Sequence, residues 1–244
     1  MIDFDDILKN GITIHSSGSS GPSKPFYQSP KKILAAAAVA SRVQNLTPQS
    51  KIYTCCKPKH AGGLFTQTIP GHLVGASITI EEFSAYQFVR EISKYTHTHI
   101  TPLHAKAIMK TKGFKNLNLE GIVVMCGAEP VTWDIIEAFV QKGCTFISNW
   151  GMSEIGPVAI NYTFTNMEQV EYVKSICPEG STVLGKNSDC LYYINSNAEL
   201  VVKGDICIYE VWYNTKDLVE VRDGILFYKG RSNAEVDFDN PKKG

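Results

Sequence analysis

The chain has 244 residues, 43% of them apolar and 20% charged; it can bury a sizeable core without staples and is too apolar for a disordered segment. Its 24 Lys and Arg balance 24 Asp and Glu, so no global field draws it to nucleic acid or anionic lipid. At roughly 150 residues per domain, one large domain, or one plus a small appendage, is expected.

The opening MIDFDDILKN is acidic and lacks the positive flank and apolar stretch of a secretory signal. A short apolar segment, GITI, leads into the loop HSSGSSGPSKP at 15–25, followed by the strand-like PFYQ. Ser29-Pro30 reads as a cap and first position of a helix through KKILAAAAVASRVQNL, ended by Thr47-Pro48. Its ILAAAAVA run is too short to span a bilayer. From there strands and helices alternate: KIYTCC, GGLFTQTIPGHLV, ASITI, SAYQFVREISKY, THI, PLHAKAIMK, EGIVVMC, VTWDIIEAFVQKG and TFISNW. Near residue 175 the texture changes to short strands between Asn, Gly and Asp turns: VLGK, LYYIN, AELVVKGD, ICIYEVWY, DLVEVRDG and ILFYKG. The expected fold is α/β, a parallel-rich sheet with helical crossovers followed by a small antiparallel β subdomain. The expected division is 1–174 as α/β core, 175–237 as β subdomain and 238–244 as tail.

Four stretches carry residue types suited to chemistry. In the glycine/serine loop, Gly18 and Gly21 allow close backbone approach, Ser16, Ser17, Ser19 and Ser20 offer hydroxyls, and Lys24 adds a cation, a composition that can nest phosphate oxygens. A flexible surface loop is the alternative. NWGMSE at 149–154 ends a strand where open α/β sheets form ligand crevices: Trp150 can stack on a base, Ser153 can bond a phosphate oxygen and Glu154 can hold magnesium, or Glu154 is an ordinary loop carboxylate. MCGAEP at 125–130 ends a neighbouring strand in small residues, where a planar ring or a plain turn fits. In the β subdomain, Asp217 and Arg231 can hold a ribose diol, or they are surface charges on a hairpin.

These stretches resemble the motifs of the adenylate-forming superfamily: acyl-CoA synthetases, firefly luciferase and peptide-synthetase adenylation domains. SSGSSGPSK at 16–24 is similar to [ST]SG[ST]TGxPK, WGMSE at 150–154 to YGxTE, Thr215-Lys216-Asp217 to TGD, Gly230-Arg231 to GR, and PKHAGG at 58–63 to PxxHxxG, with His60 in the histidine place. The kind most resembled is the small o-succinylbenzoate–CoA ligase. The resemblance implies a ligase that activates a carboxylic acid with ATP, giving acyl-AMP and pyrophosphate, with coenzyme A or another thiol as acyl acceptor and, in a split enzyme, a partner protein supplying the missing catalytic lysine. It assigns Ser16, Ser17, Gly18, Ser19, Ser20, Gly21 and Lys24 to the β- and γ-phosphates. Gly127, Ala128 and Glu129, with Asn149, Trp150 and Gly151, would border adenine. Ser153 would meet the α-phosphate, Glu154 the Mg2+ ion, Asp217 and Arg231 the ribose, and His60 the acyl carboxylate. Lys24, His60, Ser153 and Glu154 are the catalytic candidates.

Members of the superfamily are longer, and their C-terminal domain brings a catalytic lysine that no residue here matches. The alternative is therefore an impaired nucleotide- or acyl-adenylate-binding module, or one subunit of a split ligase. A sheet face covered in longer members predicts a symmetric homodimer. Seven cysteines without a CxxC pair read as free thiols in a reducing, cytoplasmic setting. Cys55 and Cys56, as neighbours on a strand, are expected to point to opposite faces. His97 and His99 share one strand face and offer a zinc reading that no suitably spaced Cys or carboxylate supports.

Overall fold

The computed structural model describes residues 2–15, 24–58 and 60–232. Helix α1 (Phe4–Asn10) starts on Asp3, whose carboxylate accepts from the Asp6 N–H at 3.0 Å, and stops at Gly11, where φ is 76°. The acidic start is thus helical, which its solvated composition did not suggest. The hairpin β1 (Ile12–His15) and β2 (Pro25–Gln28) pairs antiparallel, His15 opposite Pro25. Ser29 caps α2 (Pro30–Gln44) as expected. The helix ends one turn's start early, at Asn45 in the left-handed region with φ 54°, a conformation that Asn tolerates better than most residues. Ile33, Ala36, Ala37 and Ala40 are buried; this i, i+3, i+4, i+7 stripe of small side chains lets the helix axis lie close to the sheet.

Next come β3 (Lys51–Thr54), a continuous helical run made of α3 (Ala61–Gly63), a π turn and α4 (Ile69–Val74), then β4 (Ser77–Ile80) and α5 (Ala85–Glu91). They are followed by β5 (His97–Ile100), α6 (Pro102–Met109), β6 (Val123–Cys126), α7 (Trp133–Val140) and β7 (Thr145–Met152). After β7 the chain doubles back as β8 (Gly156–Phe164) and continues into α8 (Met167–Ile176). The rest is β9 (Thr182–Gly185), β10 (Asn187–Ser188), β11 (Leu191–Ile194), β12 (Glu199–Lys203), β13 (Tyr213–Arg222) and β14 (Ile225–Arg231).

Seven strands form one sheet in the order β10-β8-β7-β6-β5-β3-β4, parallel from β7 to β4, with β8 and β10 antiparallel. Five form an antiparallel sheet in the order β11-β12-β13-β14-β9. The α/β class with a parallel-rich sheet and a separate antiparallel sheet is as the alternation predicted. Phe88, Ile108, Ile135, Phe139, Phe146 and Phe164 pack between the large sheet and the helices on one face. On the other, Ala40 meets Met125, Ile147 and Val158. No helix among the described residues is long and apolar enough to cross a membrane.

One predicted strand is absent. ICIYEVWY has the β-branched and aromatic composition of a strand, yet 206–212 is a turn followed by bends and irregular chain. Its backbone is spent elsewhere: the Ile208 N–H donates to the Glu154 carbonyl at 2.9 Å, and Ile206 packs beside Gly156. The segment is a strap across the β7–β8 turn, so tertiary contact outweighs intrinsic propensity.

Candidate active site

The parallel strands deliver their C-terminal ends to one edge. Thr54 pairs with His99, Ile100 with Cys126, and Cys126 with Ser148. Cys55–Cys56, Thr101–His104, Gly127–Glu129 and Asn149–Glu154 therefore leave the sheet side by side, where an open α/β sheet forms its crevice. At β6, a Cβ on Gly127 would lie 2.5 Å from the Asn149 carbonyl oxygen, so only glycine permits this approach. Ala128 follows with φ 76°, turning the exposed Ala128-Glu129 backbone away from the sheet. The buried Asn149 amide donates to the Pro157 carbonyl at 2.6 Å, while its Oδ1 has no partner.

Gly151 lies in β7 with no room for a side chain, since a Cβ would come within 2.4 Å of the Gly156 carbonyl. Ser153 and Glu154 occupy the turn into β8. The buried Gln28 side chain donates to the Ser153 carbonyl at 2.8 Å. That bond ties the β1–β2 hairpin, and with it the two ends of the glycine/serine loop, to the β7–β8 turn. Ser16, Ser17, Gly18, Ser19, Ser20 and Gly21 lie outside the described residues; Lys24 is described and exposed at the base of the loop.

The second sheet supplies the facing side. Asp217 on β13 stands opposite Arg231 on β14. The Trp150 indole N–H donates to Asp217 Oδ2 at 2.9 Å, bridging the two sheets, and Arg231 Nε is 3.8 Å from Asp217 Oδ1. Arg231 also donates to the Thr215 carbonyl at 3.3 Å. Burial pushes the Asp217 carboxyl up to about 6; the Trp150 hydrogen bond and Arg231 oppose this, and the Glu154 charge adds to it. Glu154 is also raised, chiefly by burial, while the charges of Arg231 and Lys24 pull it down. Burial dominates both shifts, and the charges that modulate them bring Glu154 into the field of Lys24, Arg231 and Asp217, the last of these bonded to Trp150.

The turn that aims Asp217 is held by Thr215 and Lys216 of the TGD-like stretch together with Asn214 and Glu199, which motif reading passed over. Lys216 has φ 64°, a left-handed conformation that costs a side-chain-bearing residue about 1–2 kcal/mol, at the place where the resembled TGD motif has glycine. It is held by a buried ion pair with Glu199 at 3.7 Å and by its N–H on Asn214 Oδ1 at 2.9 Å. Burial works to raise Glu199, but hydrogen bonds from Asn214, Asn195 and Ser232 and the Lys216 charge hold it below the usual carboxylate range. Thr215 Oγ1 accepts from the Asp217 N–H at 3.1 Å and donates to the Leu200 carbonyl at 2.8 Å. A polar residue two before Asp217 was the only sequence signal for this scaffold.

His60 stands exposed at the start of α3, where its carbonyl accepts from the Leu64 N–H at 3.0 Å; it is not among the groups around Asp217. His97 is occupied structurally, its ring nitrogens meeting the Gln44 carbonyl at 3.0 Å and the Thr96 hydroxyl at 2.8 Å. Among the described residues no group of three or more His, Cys, Asp or Glu is placed to hold a metal ion. Ile69 and Val158 fill the core, whereas Leu73 and Leu103 are exposed.

A family model described as "AMP-binding enzyme" matches residues 12–208. Comparison by sequence with curated proteins finds no match. Among solved structures, an acyl-CoA synthetase (AMP-forming)/AMP-acid ligase II-like protein from Dyadobacter fermentans superposes with a TM-score of 0.69 at 18% identity, covering 90% of this chain and 59% of that one. ATP-bound MatB from Rhodopseudomonas palustris gives 0.74 at 15% identity, covering 91% and 48%. The AMP complex of o-succinylbenzoate coenzyme A synthetase from Bacillus subtilis gives 0.73 at 17%, covering 91% and 49%. The fold is shared, and the chain spans about half to three-fifths of the length of these structures.

Proposed function

Because the chain belongs to the AMP-binding enzyme family, we propose that it activates a carboxylic acid with ATP, forming an acyl-adenylate and releasing pyrophosphate. The observation that supports this reading is the meeting of Trp150, Asp217 and Arg231 across two sheets, within the field of Glu154 and Lys24.

In the proposed reaction a substrate carboxylate oxygen attacks the α-phosphorus of ATP. The bond from that phosphorus to the bridging oxygen breaks, and pyrophosphate carries the electron pair away. Two anions must approach, so catalysis needs positive charge fixed in advance. Lys24 and the amides and hydroxyls of 16–21 are proposed to receive the β- and γ-phosphates, with Arg231 near the α-phosphate and ribose. Asp217 accepts the ribose hydroxyls. Trp150, pinned by its indole hydrogen bond, offers its face to adenine, whose edge lies along Gly127, Ala128, Glu129, Asn149 and Gly151. Ser153 is proposed to bond the α-phosphate, and His60 to lie on the acid's side.

Glu154 fits a magnesium ion, being a hard, partly buried oxygen donor whose burial Lys24 and Arg231 only partly offset. When bound, that ion neutralises charge on the phosphates; the chain's part is to keep Glu154 ionised through Lys24 and Arg231. Coenzyme A or another thiol is the proposed acyl acceptor. A cytoplasmic site of action and a homodimer complete the proposal.

The share of each relative that the chain spans favours one second reading, a nucleotide- or adenylate-binding part of a split ligase. ATP–pyrophosphate exchange over a panel of acids, paired with calorimetric titration of ATP and AMP, decides between them. Acid-dependent exchange supports the ligase. Binding without exchange, restored by a partner protein, supports the second reading. Absence of both exchange and nucleotide binding overturns the proposal.

A further inference from the structure

Two adjacent cysteines at the end of β3 converge on one atom. Cys55 Sγ donates to the His99 carbonyl at 3.7 Å and Cys56 Sγ to the same oxygen at 3.3 Å. Strand alternation predicts opposite faces for neighbours, but β3 stops at Thr54 and Cys56 lies in a bend, so the alternation has already lapsed. Cys56 Sγ is also 3.9 Å from His104 Nδ1. His104 is held firmly: its N–H bonds the Thr101 hydroxyl at 3.2 Å, and its ring stacks on Phe83 with centroids 3.9 Å apart and planes 15° off parallel. The Thr101 N–H points at Nδ1 from 3.5 Å, so Nδ1 is placed as an acceptor.

We propose that Cys55, Cys56 and His104 form an oxidant-reactive dithiol site that takes small hydroperoxides and yields a reversible Cys55–Cys56 disulfide. The first proton of the thiol pair passes to His104 Nδ1. The thiolate sulfur attacks the terminal peroxide oxygen, the O–O bond breaks, and hydroxide (alkoxide from an organic hydroperoxide) leaves, taking its proton from the imidazolium to become water (or the alcohol). The sulfenic acid formed is then attacked by the second thiol: the S–S bond forms, the S–O bond breaks, and water departs with the thiol's proton. Two electrons move from the two sulfurs to the peroxide bond, so no further reductant or oxidant is needed.

The electrostatics support the assignment. Once Cys55 ionises, the single Cys56 S–H turns from the His99 carbonyl to the Cys55 thiolate; that bond, with help from His104, brings the Cys55 thiol down to about 6 against the effect of burial. Cys56 moves up, through its bond to Cys55 and through burial. For the pair, this means that the first proton leaves easily and the second is retained. Burial raises each of the other five thiols, Cys126, Cys144, Cys177, Cys190 and Cys207. Cys55 and Cys56 are buried, at 3% and 7% exposure, so a small oxidant is the class of reagent expected to reach them in the folded chain. Neighbouring Cα atoms stand about 3.8 Å apart, below the usual disulfide span of about 4.4–6.8 Å, so the ring is strained and readily reduced. None of this chemistry requires acid activation, so a protein inactive in ATP–pyrophosphate exchange would still carry the site.

The test treats the full chain with hydrogen peroxide near neutral pH, alkylates it in denaturant and maps the thiols by mass spectrometry. The peptide holding Cys55 and Cys56 is expected to lose two hydrogens and both alkylation sites first, while the other five cysteines stay alkylatable, and dithiothreitol is expected to restore it. Cys56→Ser should stop at a Cys55 sulfenic acid, trapped by dimedone added together with denaturant, and His104→Gln should slow the oxidation about tenfold or more. Continued alkylation of Cys55 and Cys56 while other thiols oxidise, or a Cys56–Cys126 bridge in place of the adjacent one, overturns the proposal. The result on the unsubstituted protein decides it even where a variant fails to fold.

Discussion

Asp217 gives the sharpest handle at the scale of single residues. Its carboxyl sits at about 6 in the folded protein against 3.8 for the free side chain, so the native state holds the proton more tightly. Its contribution to stability is fully present below pH 3.8 and is lost as pH rises through about 6. Above that, the ionised form costs about 2–3 kcal/mol. Asp217→Asn is therefore expected to raise the denaturation midpoint at pH 7.5, to flatten the stability profile between pH 4 and 6, and to weaken AMP binding; equal pH profiles for both proteins in chemical denaturation would refute it. At Lys216, two effects separate. Both Lys216→Ala and Lys216→Gly leave Glu199 buried without its cation, a loss of about 3–5 kcal/mol, but glycine relieves the left-handed backbone. The glycine variant should thus be about 1 kcal/mol more stable than the alanine one, measured by urea titration. Motif reading reached Asp217 and Arg231 because both belong to short local signatures. It had no access to Glu199 or Gln28, whose roles come from pairing across 17 and 125 residues of chain.

Among the elements, α2 and the β1–β2 hairpin set the geometry. Ala40 is fully buried against Met125, Ile147 and Val158, so Ala40→Leu forces the helix off the sheet and should cost about 1–3 kcal/mol, seen as a lower melting temperature. Gln28→Ala removes the bond to the Ser153 carbonyl and unlinks the loop's base from the β7–β8 turn. It should cost only about 1 kcal/mol in stability yet raise KM for ATP more than it lowers kcat; an unchanged KM would count against that linkage. The elements with clear periodicity, α2 and α7 among them, and the β-branched strands were legible beforehand. The missing ones have physical reasons. Strand β8 opens with Gly156-Pro157, which reads as a turn, and is buried on both faces for most of its length, so it shows no alternation. Conversely, 206–212 has strand composition but serves as a strap, its backbone bonding Glu154.

For the molecule as a whole, the large sheet ends in β4, an uncharged edge of sequence Ser-Ile-Thr-Ile, with Leu73, Ile80 and Tyr86 exposed. An uncovered edge of this kind invites pairing, and the proposed homodimer should appear in light scattering at micromolar concentration; a monomer there would sink it. The parallel-rich sheet followed from the alternation of elements, whereas its strand order and the joining of the two sheets did not, because both depend on contacts between residues far apart in the chain. That junction has an optical consequence. The Trp150 ring is clamped to a carboxylate that gains its proton just below neutrality, and any flat aromatic guest would have to lie on the same indole. Its emission is therefore a built-in gauge: it should shift with acidification through pH 6 in the unliganded protein, and shift again, with no added dye, when the guest arrives.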